Sequence, residues 1–407
     1  MVRPERRTRA DIVAASAIAV VIATTAALIW WTSDARTTIS HPASAMVPHL
    51  TPAQAVPAVL DQLWSAASPH TTAPVVVADT VVTGDGREVD GRDPTTGESR
   101  WSYVRRTELC AVSWVYHYAV AVYPDGRGCG QVSTIDGSTG RRGPARTSYA
   151  DGHVEVSSDG TTVLSAGSTR LELWRSDMVR MLAYGEIDAR VKPSSQGVGT
   201  GCALLSAAAS SSAVSVLEKC PQQADLRLNL LRPGEEEDEP EQRYVQGIAD
   251  DSGARVLVVS ETTTAVYLPS PQPRVDVIDD TGATVASRLL PKPPSSTATA
   301  ATVSKSDDLI TWWTGDSVMV FDAAGLRYRY TIGPSGSATP LGPAVPMAGR
   351  LLIPVTGGIG VYDPATGANE RTIAVSRPPG TAPVIPAIAG STVLEQRGDA
   401  VVALGPR

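Results

Sequence analysis

The 407-residue sequence predicts an all-β protein: a β-propeller of eight four-stranded blades, or seven if one weak unit is a loop, behind one N-terminal transmembrane helix. Three observations carry this expectation. Short β-branched runs recur in units of about 43 residues, within the range of propeller repeats. Glycine and proline, 35 and 31 residues, punctuate the chain too often for long helices in its body. Near the start stands one uncharged stretch long enough to cross a bilayer.

The clearest unit is Pro74–Trp101. Val75–Val77 and Val81–Thr83 are β-branched runs that suit a pleated, half-buried surface. Gly84-Asp85-Gly86 and Thr96-Gly97 supply the positive φ angles of tight hairpins. One four-stranded sheet is too small to bury its own face, so the unit should recur, and it does. Its ending, Gly91-Arg92-Asp93-Pro94-Thr95-Thr96-Gly97 and then Trp101, returns as Asp136, Thr139 and Gly140, and again as Asp363, Thr366 and Gly367. Shorter relatives end in Asp279 with Gly282 and in Asp322 with Gly325. In each, an aspartate carboxylate can accept backbone N–H groups two residues on and close the turn ahead of the glycine. These five aspartates are therefore turn chemistry rather than catalytic groups.

Weaker strand groups lie between the copies, at Val154–Trp174 and Cys202–Leu230. The last unit, Val384–Leu404, has only three strands. Leu60–Ala66 supplies a fourth, with Trp64 at the place Trp101 holds in the first blade. Pairing the first strand with the last closes a ring and removes its edges. The expected divisions are a cytoplasmic tail over residues 1–11, a membrane helix over 12–31, a flexible linker over 32–59 and an extracytoplasmic propeller over 60–407.

Ile12–Trp31 is twenty residues without a charge, which as a helix spans about 30 Å. Arg3, Arg6, Arg7 and Arg9 precede it and only Arg36 follows closely, which orients the N-terminus to the cytoplasm. A retained anchor is the leading expectation. The alternatives are a signal peptide cut at Ala43-Ser44-Ala45, which lies far beyond the apolar run, and a twin-arginine signal at Arg6-Arg7. All three deliver the body outside the cytoplasm. The segment from Thr32 to about Ala58 is Thr-, Ser-, Pro- and Ala-rich without strand or helix periodicity, hence the expected tether of about 30 Å reach.

The alternating strand, Asp-x-x-Thr-Gly, then a tryptophan four residues on resembles the repeat of the pyrroloquinoline-quinone-like β-propellers. Gly91, Asp93, Thr96, Gly97 and Trp101 match it in full, and the Asp136 and Asp363 copies match without the tryptophan. With its short basic tail, single span and Ala/Val-rich body, the chain is also similar to membrane-anchored propellers of actinobacteria. The quinone-dependent members imply a vicinal disulfide, a stacking tryptophan and a calcium site of Glu, Asn and Asp. Here no two cysteines are adjacent, and only Asn229 and Asn369 offer an amide, so neither cofactor nor metal is expected.

The four cysteines fall into local pairs, Cys110/Cys129 and Cys202/Cys220, each expected to bridge neighbouring strands of one blade in an oxidising compartment. The rival, a metal site, needs CxxC-like spacing that the chain lacks. Glu235–Glu241 packs six carboxylates into seven positions, expected as a solvated loop. His41, His49, His70, His117 and His153 show no metal spacing, and Gly197-x-Gly-x-Gly201 leads into a strand rather than the helix a phosphate loop needs. A net charge of −7 with scattered arginines gives no nucleic-acid surface. The expected function is a non-enzymatic, membrane-tethered scaffold binding an envelope or membrane protein. The alternatives are a ligand-binding or degenerate quinoprotein-type enzyme using the central channel, and a sensor, for which the tail is short.

Overall fold

The structure is a computed structural model that describes residues 8–187, 191–192, 197–250, 253–296, 302–306 and 308–406. Arg3, Arg6 and Arg7, invoked above for orientation, lie outside the described residues. Thr8 caps a helix over Arg9–Thr32: its hydroxyl accepts from Asp11 N–H, and the Asp11 carboxylate accepts from Thr8 N–H. This helix is long and apolar enough to cross a membrane, as an anchor or as a signal sequence. Beyond it the Arg36 guanidinium stacks over the Trp31 ring at 3.6 Å.

The described residues then form eight antiparallel sheets. Blades one to seven span 75–104, 111–147, 155–185, 203–248, 255–289, 303–332 and 345–374. In each, four strands pair in sequence order. Blade eight takes Val384–Ala389, Thr392–Arg397 and Ala400–Gly405 from the end of the chain and Asp61–Ala67 from its beginning. Trp64 pairs with Ala403 in that seam. First strands touch at the junctions of blades one and two, two and three, four and five, seven and eight, and eight and one, which places them on the inner ring.

The core is divided into wedges, one between each pair of blades. Trp101, Tyr103, Val112 and Ile135 fill the wedge between blades one and two, and Ile310, Trp312, Tyr267 and Val277 that between five and six. Each fully buried Val, Leu or Ile contributes about 1.5–3 kcal/mol, and it does so only against the next blade. Neighbours therefore hold one another, as in any repeat array, and closure gives every blade two partners.

Antiparallel alternation places the turns between strands one and two, and three and four, at one end of the ring. Blade-to-blade connections lie at the other end. The 32–59 segment, expected to be a flexible linker, is instead strapped to the propeller. Ile39–His41 adds a fifth strand to blade one, opposite Ser102–Val104. Ala43 N–H then donates to Thr139 O of blade two, and a His49 ring nitrogen meets Asp79 Oδ2 at 2.6 Å. Leu50 packs into the wedge between blades eight and one, and Ala53 and Val56 into that between seven and eight. The strap crosses several blades, so its apolar residues follow no strand or helix period. That is why a periodicity search reads it as a tether.

Candidate functional site: blade junctions and clefts

The repeat turns are built by local hydrogen bonds. Asp93 Oδ1 accepts from Thr95 and Thr96 N–H, Asp136 Oδ1 from Ser138 and Thr139 N–H, and Asp363 Oδ1 from Ala365 and Thr366 N–H. Asp279 does the same for Thr281 and Ala283. Asp322 differs from the expected turn role: its carboxylate pairs with Arg327 and Arg329. Partial burial of Asp93 opposes ionisation, but the bonds from Thr95 and Thr96 and the Arg100 guanidinium outweigh it and hold the carboxyl at about 2. Asp136 is lowered likewise, against burial, by Ser138 and Thr139.

The turns at Asp93, Asp136 and Asp363 also receive a side chain from the blade before them. Trp64 Nε1 donates to Pro94 O at 2.9 Å, and Trp101 Nε1 to Gly137 O at 2.8 Å. Tyr330 OH donates to Pro364 O at 2.6 Å. The rings lie against Gly97, Gly140 and Gly367, where a Cβ would come within 2.7 Å of them or closer. Gly97 additionally has φ +74, so a side chain there would be strained by the backbone as well.

Arginines do the equivalent work elsewhere. Arg146 of blade two stacks on Trp174 and donates to Met178 O of blade three. Arg371 of blade seven donates to Val56 O and Pro57 O, just ahead of the blade-eight seam. Arg146, Arg170 and Arg180 converge on buried Glu172. Burial opposes ionisation of Glu172, yet the three guanidinia and the Trp174 N–H keep its carboxyl below the usual range. Arg180 also binds Glu237, and Ala183 N–H donates to Glu237 O. The acidic stretch is thus clamped onto blade three, with Asp238 buried, and is not the free solvated loop expected.

Two further glutamates are buried and paired: Glu395 with Arg377 and Arg397, and Glu218 with Arg227 and the Tyr184 hydroxyl. Glu218 also lies near Cys202 and Cys220, a geometry that superficially suits a metal. Those two sulfurs are bonded to each other, and the Arg227 guanidinium occupies the carboxylate, so the donor set does not suit a cation. The two disulfides are Cys110–Cys129 and Cys202–Cys220. The second links neighbouring strands; the first runs from the lead-in of the first strand of blade two to its third, skipping one strand.

A quinone with calcium does not fit these residues. Asn229 is buried in blade four and donates to Tyr184 OH and Gln242, whereas Asn369 is exposed in blade seven. The disulfides are separate bridges in different blades. Of the inner strands, the exposed residues include one acid, Glu155, and one base, Lys305, with Ser157, Leu205 and Pro346 between them. Nothing there converges as an acid–base set does.

Two clefts remain. One, of about 730 Å³, lies at the junction of blades seven and eight, beside Arg377, Pro378 and Leu60. The other, of about 580 Å³, opens between blades four and five, beside Arg232, Gln242, Arg243 and Glu261. On the turn-bearing end, Tyr116 is 69% exposed with φ +55, and the His117 and Tyr118 rings stack behind it at 3.9 Å.

No protein-family model and no curated protein matches the chain. Solved structures do. The chain is similar to the C-terminal WD40 domain of Sif2, at 10% identity and TM-score 0.52, covering 86% of this chain and 99% of that one. Sqt1 from Saccharomyces cerevisiae is similar at 10% identity and TM-score 0.51, with 86% and 98% covered. BamB from Moraxella catarrhalis matches at 15% identity and TM-score 0.49, with 86% and 100% covered. At such identities the two matches above 0.5 show the β-propeller fold and nothing of activity.

Proposed function

We propose that this protein is a membrane-tethered β-propeller that works outside the cytoplasm as a non-enzymatic docking scaffold for an envelope or membrane protein. One observation carries the proposal. The deeply buried glutamates Glu172, Glu218 and Glu395 are each neutralised by arginines that clamp strands and blades together. Enzyme sites commonly hold ionisable groups with shifted pKa values in a cleft. Here the buried charges are consumed by architecture, and the clefts and loop-built ends are left for binding.

Supporting features agree with this. The apolar helix precedes a strand built into blade one, so an anchored chain keeps its propeller whole. Both cysteine pairs are oxidised, as suits an extracytoplasmic compartment. The Asp-x-x-Thr-Gly turns, with rings docked on their glycines, support the likeness to the pyrroloquinoline-quinone-like repeat. An exposed aromatic held in a left-handed conformation, Tyr116, is the kind of residue that anchors protein interfaces.

The test is crosslinking in intact membranes followed by co-purification of the detergent-solubilised full chain. A discrete membrane or envelope protein should be recovered, with crosslinks to the turn-bearing end or to the clefts. Recovery of no partner, together with turnover of an envelope glycan by the purified protein, would sink the proposal.

A further inference from the structure

Three blade junctions are filled in one way. A ring from the fourth strand of one blade lies against the turn glycine of the next, and donates to the carbonyl that follows the turn aspartate. The sets are Trp64 with Gly97 and Pro94, Trp101 with Gly140 and Gly137, and Tyr330 with Gly367 and Pro364. Blade five carries a shorter form of the turn, with its glycine three rather than four residues after the aspartate. Asp279 Oδ1 holds the N–H groups of Thr281 and Ala283, Gly282 N–H donates to Asp279 O, and Gly282 has φ +88.

Blade four does not supply the ring. Its fourth strand presents Gln242 and Arg243 opposite Leu231 and Leu230. Tyr244 turns its hydroxyl to Gln242 and its ring to Arg227. Among the described residues no ring lies against Gly282: a Cβ there would stand 3.5 Å from Val245 Cγ2 and 3.8 Å from Tyr244 O. Among the described residues no side chain donates to the Asp280 carbonyl, the counterpart of Pro94, Gly137 and Pro364. The cleft of about 580 Å³ is what this junction has in place of an indole.

We propose that this cleft receives in trans the group that the fold supplies in cis elsewhere. Its occupant is a tryptophan or tyrosine side chain of a partner polypeptide, lying beside Asp279 and Asp280, which line the cleft, and donating to the Asp280 carbonyl. The rim sets the flanking chemistry. Glu241, Glu261, Asp279 and Asp280 outnumber Arg232 and Arg243, and Arg232 is already engaged by Asp280 Oδ2 and Glu261 O. The partner segment is therefore basic on either side of its ring. This rests on the docking function proposed above and narrows it to one junction and one partner chemistry.

The test uses the detergent-solubilised full chain and two labelled peptides, Lys-Trp-Lys and Lys-Ala-Lys, both capped, read by fluorescence anisotropy. The tryptophan peptide should bind saturably and at least about tenfold more tightly than the alanine peptide, as expected for an aromatic anchor in a pocket. Arg243→Trp, which fills the cleft from within, should weaken that binding by about tenfold or more. Glu261→Lys, an exposed charge reversal that leaves the strands intact, should weaken it several-fold. Equal binding of the two peptides, no binding of either, or native-like binding by both variants overturns the assignment. If the peptide fails while crosslinked partners from membranes map elsewhere on the ring, only this site falls. Loss of all partners would remove the docking function itself.

Discussion

Trp64 and Trp101 make the same contact one blade apart: each indole N–H donates to a carbonyl in the next blade's turn, Pro94 O for the first and Gly137 O for the second. Trp64 lies near the start of the folded body and pairs with Ala403 at its end. The seam that closes the ring is therefore joined to blade one by the same kind of contact that joins blade one to blade two.

Trp101→Ala should destabilise the propeller by about 3–5 kcal/mol, since it empties a buried wedge and strands the Gly137 carbonyl. Trp64→Ala should cost less, because Trp64 is only partly buried, but it should loosen the seam. Urea denaturation of the detergent-solubilised chain measures both. Equal stability of the native protein and Trp101→Ala would contradict the junction account.

Glu172→Gln leaves Arg146 and Arg170 without their shared counter-charge, beside an Arg180 that keeps only Glu237. Breaking a buried ion cluster by removing one partner costs about 3–5 kcal/mol. The loss should spread to the acidic stretch, because Arg180 also holds Glu237. Faster hydrogen exchange at Ala183 and Val191, whose N–H groups bind Glu237 O and Asp238 Oδ2, would report it.

Acid should weaken the turns in a defined window. The Asp93 carboxyl is depressed to about 2, below its unfolded value of about 3.9. Its contribution is thus present above about pH 4 and lost as pH falls through about 2, below which the folded and unfolded forms are both protonated. Asp136 acts in the same direction. Urea midpoints should drop between about pH 5 and about pH 2.5, and Asp93→Asn should flatten that drop. An unchanged slope in the variant would remove Asp93 from the explanation.

The mature chain should keep the residues ahead of Ala43. Cleavage after Ala45 would strip Ile39–His41 from blade one and break the bond from Ala43 N–H to Thr139 O. Intact mass spectrometry of protein extracted from membranes decides the matter; a species beginning at Met46 would show that the strand is dispensable.

The eightfold repeat and its turns were legible in the sequence because their chemistry is local. Asp93, Asp136 and Asp363 bond to groups two and three residues on, and glycine follows at a fixed step, so spacing alone reveals them. The ring's closure was legible for a related reason: a unit one strand short at the end and a spare strand after the first prolines complete each other. The strap, the arginine clamps and the cleft between blades four and five belong to the tertiary structure. Trp101 and Gly137 are 36 residues apart, and Arg180 and Glu237 are 57 apart. Glu172 alternates with buried leucines like any solvent-facing strand residue, and nothing near it in sequence announces the guanidinia that surround it. Contacts between blades are set by the rotation of one sheet onto the next, which local spacing does not encode. Strand period and turn chemistry determined what each blade is; only the closed ring decided which side chains fill its junctions and which junctions keep a cleft.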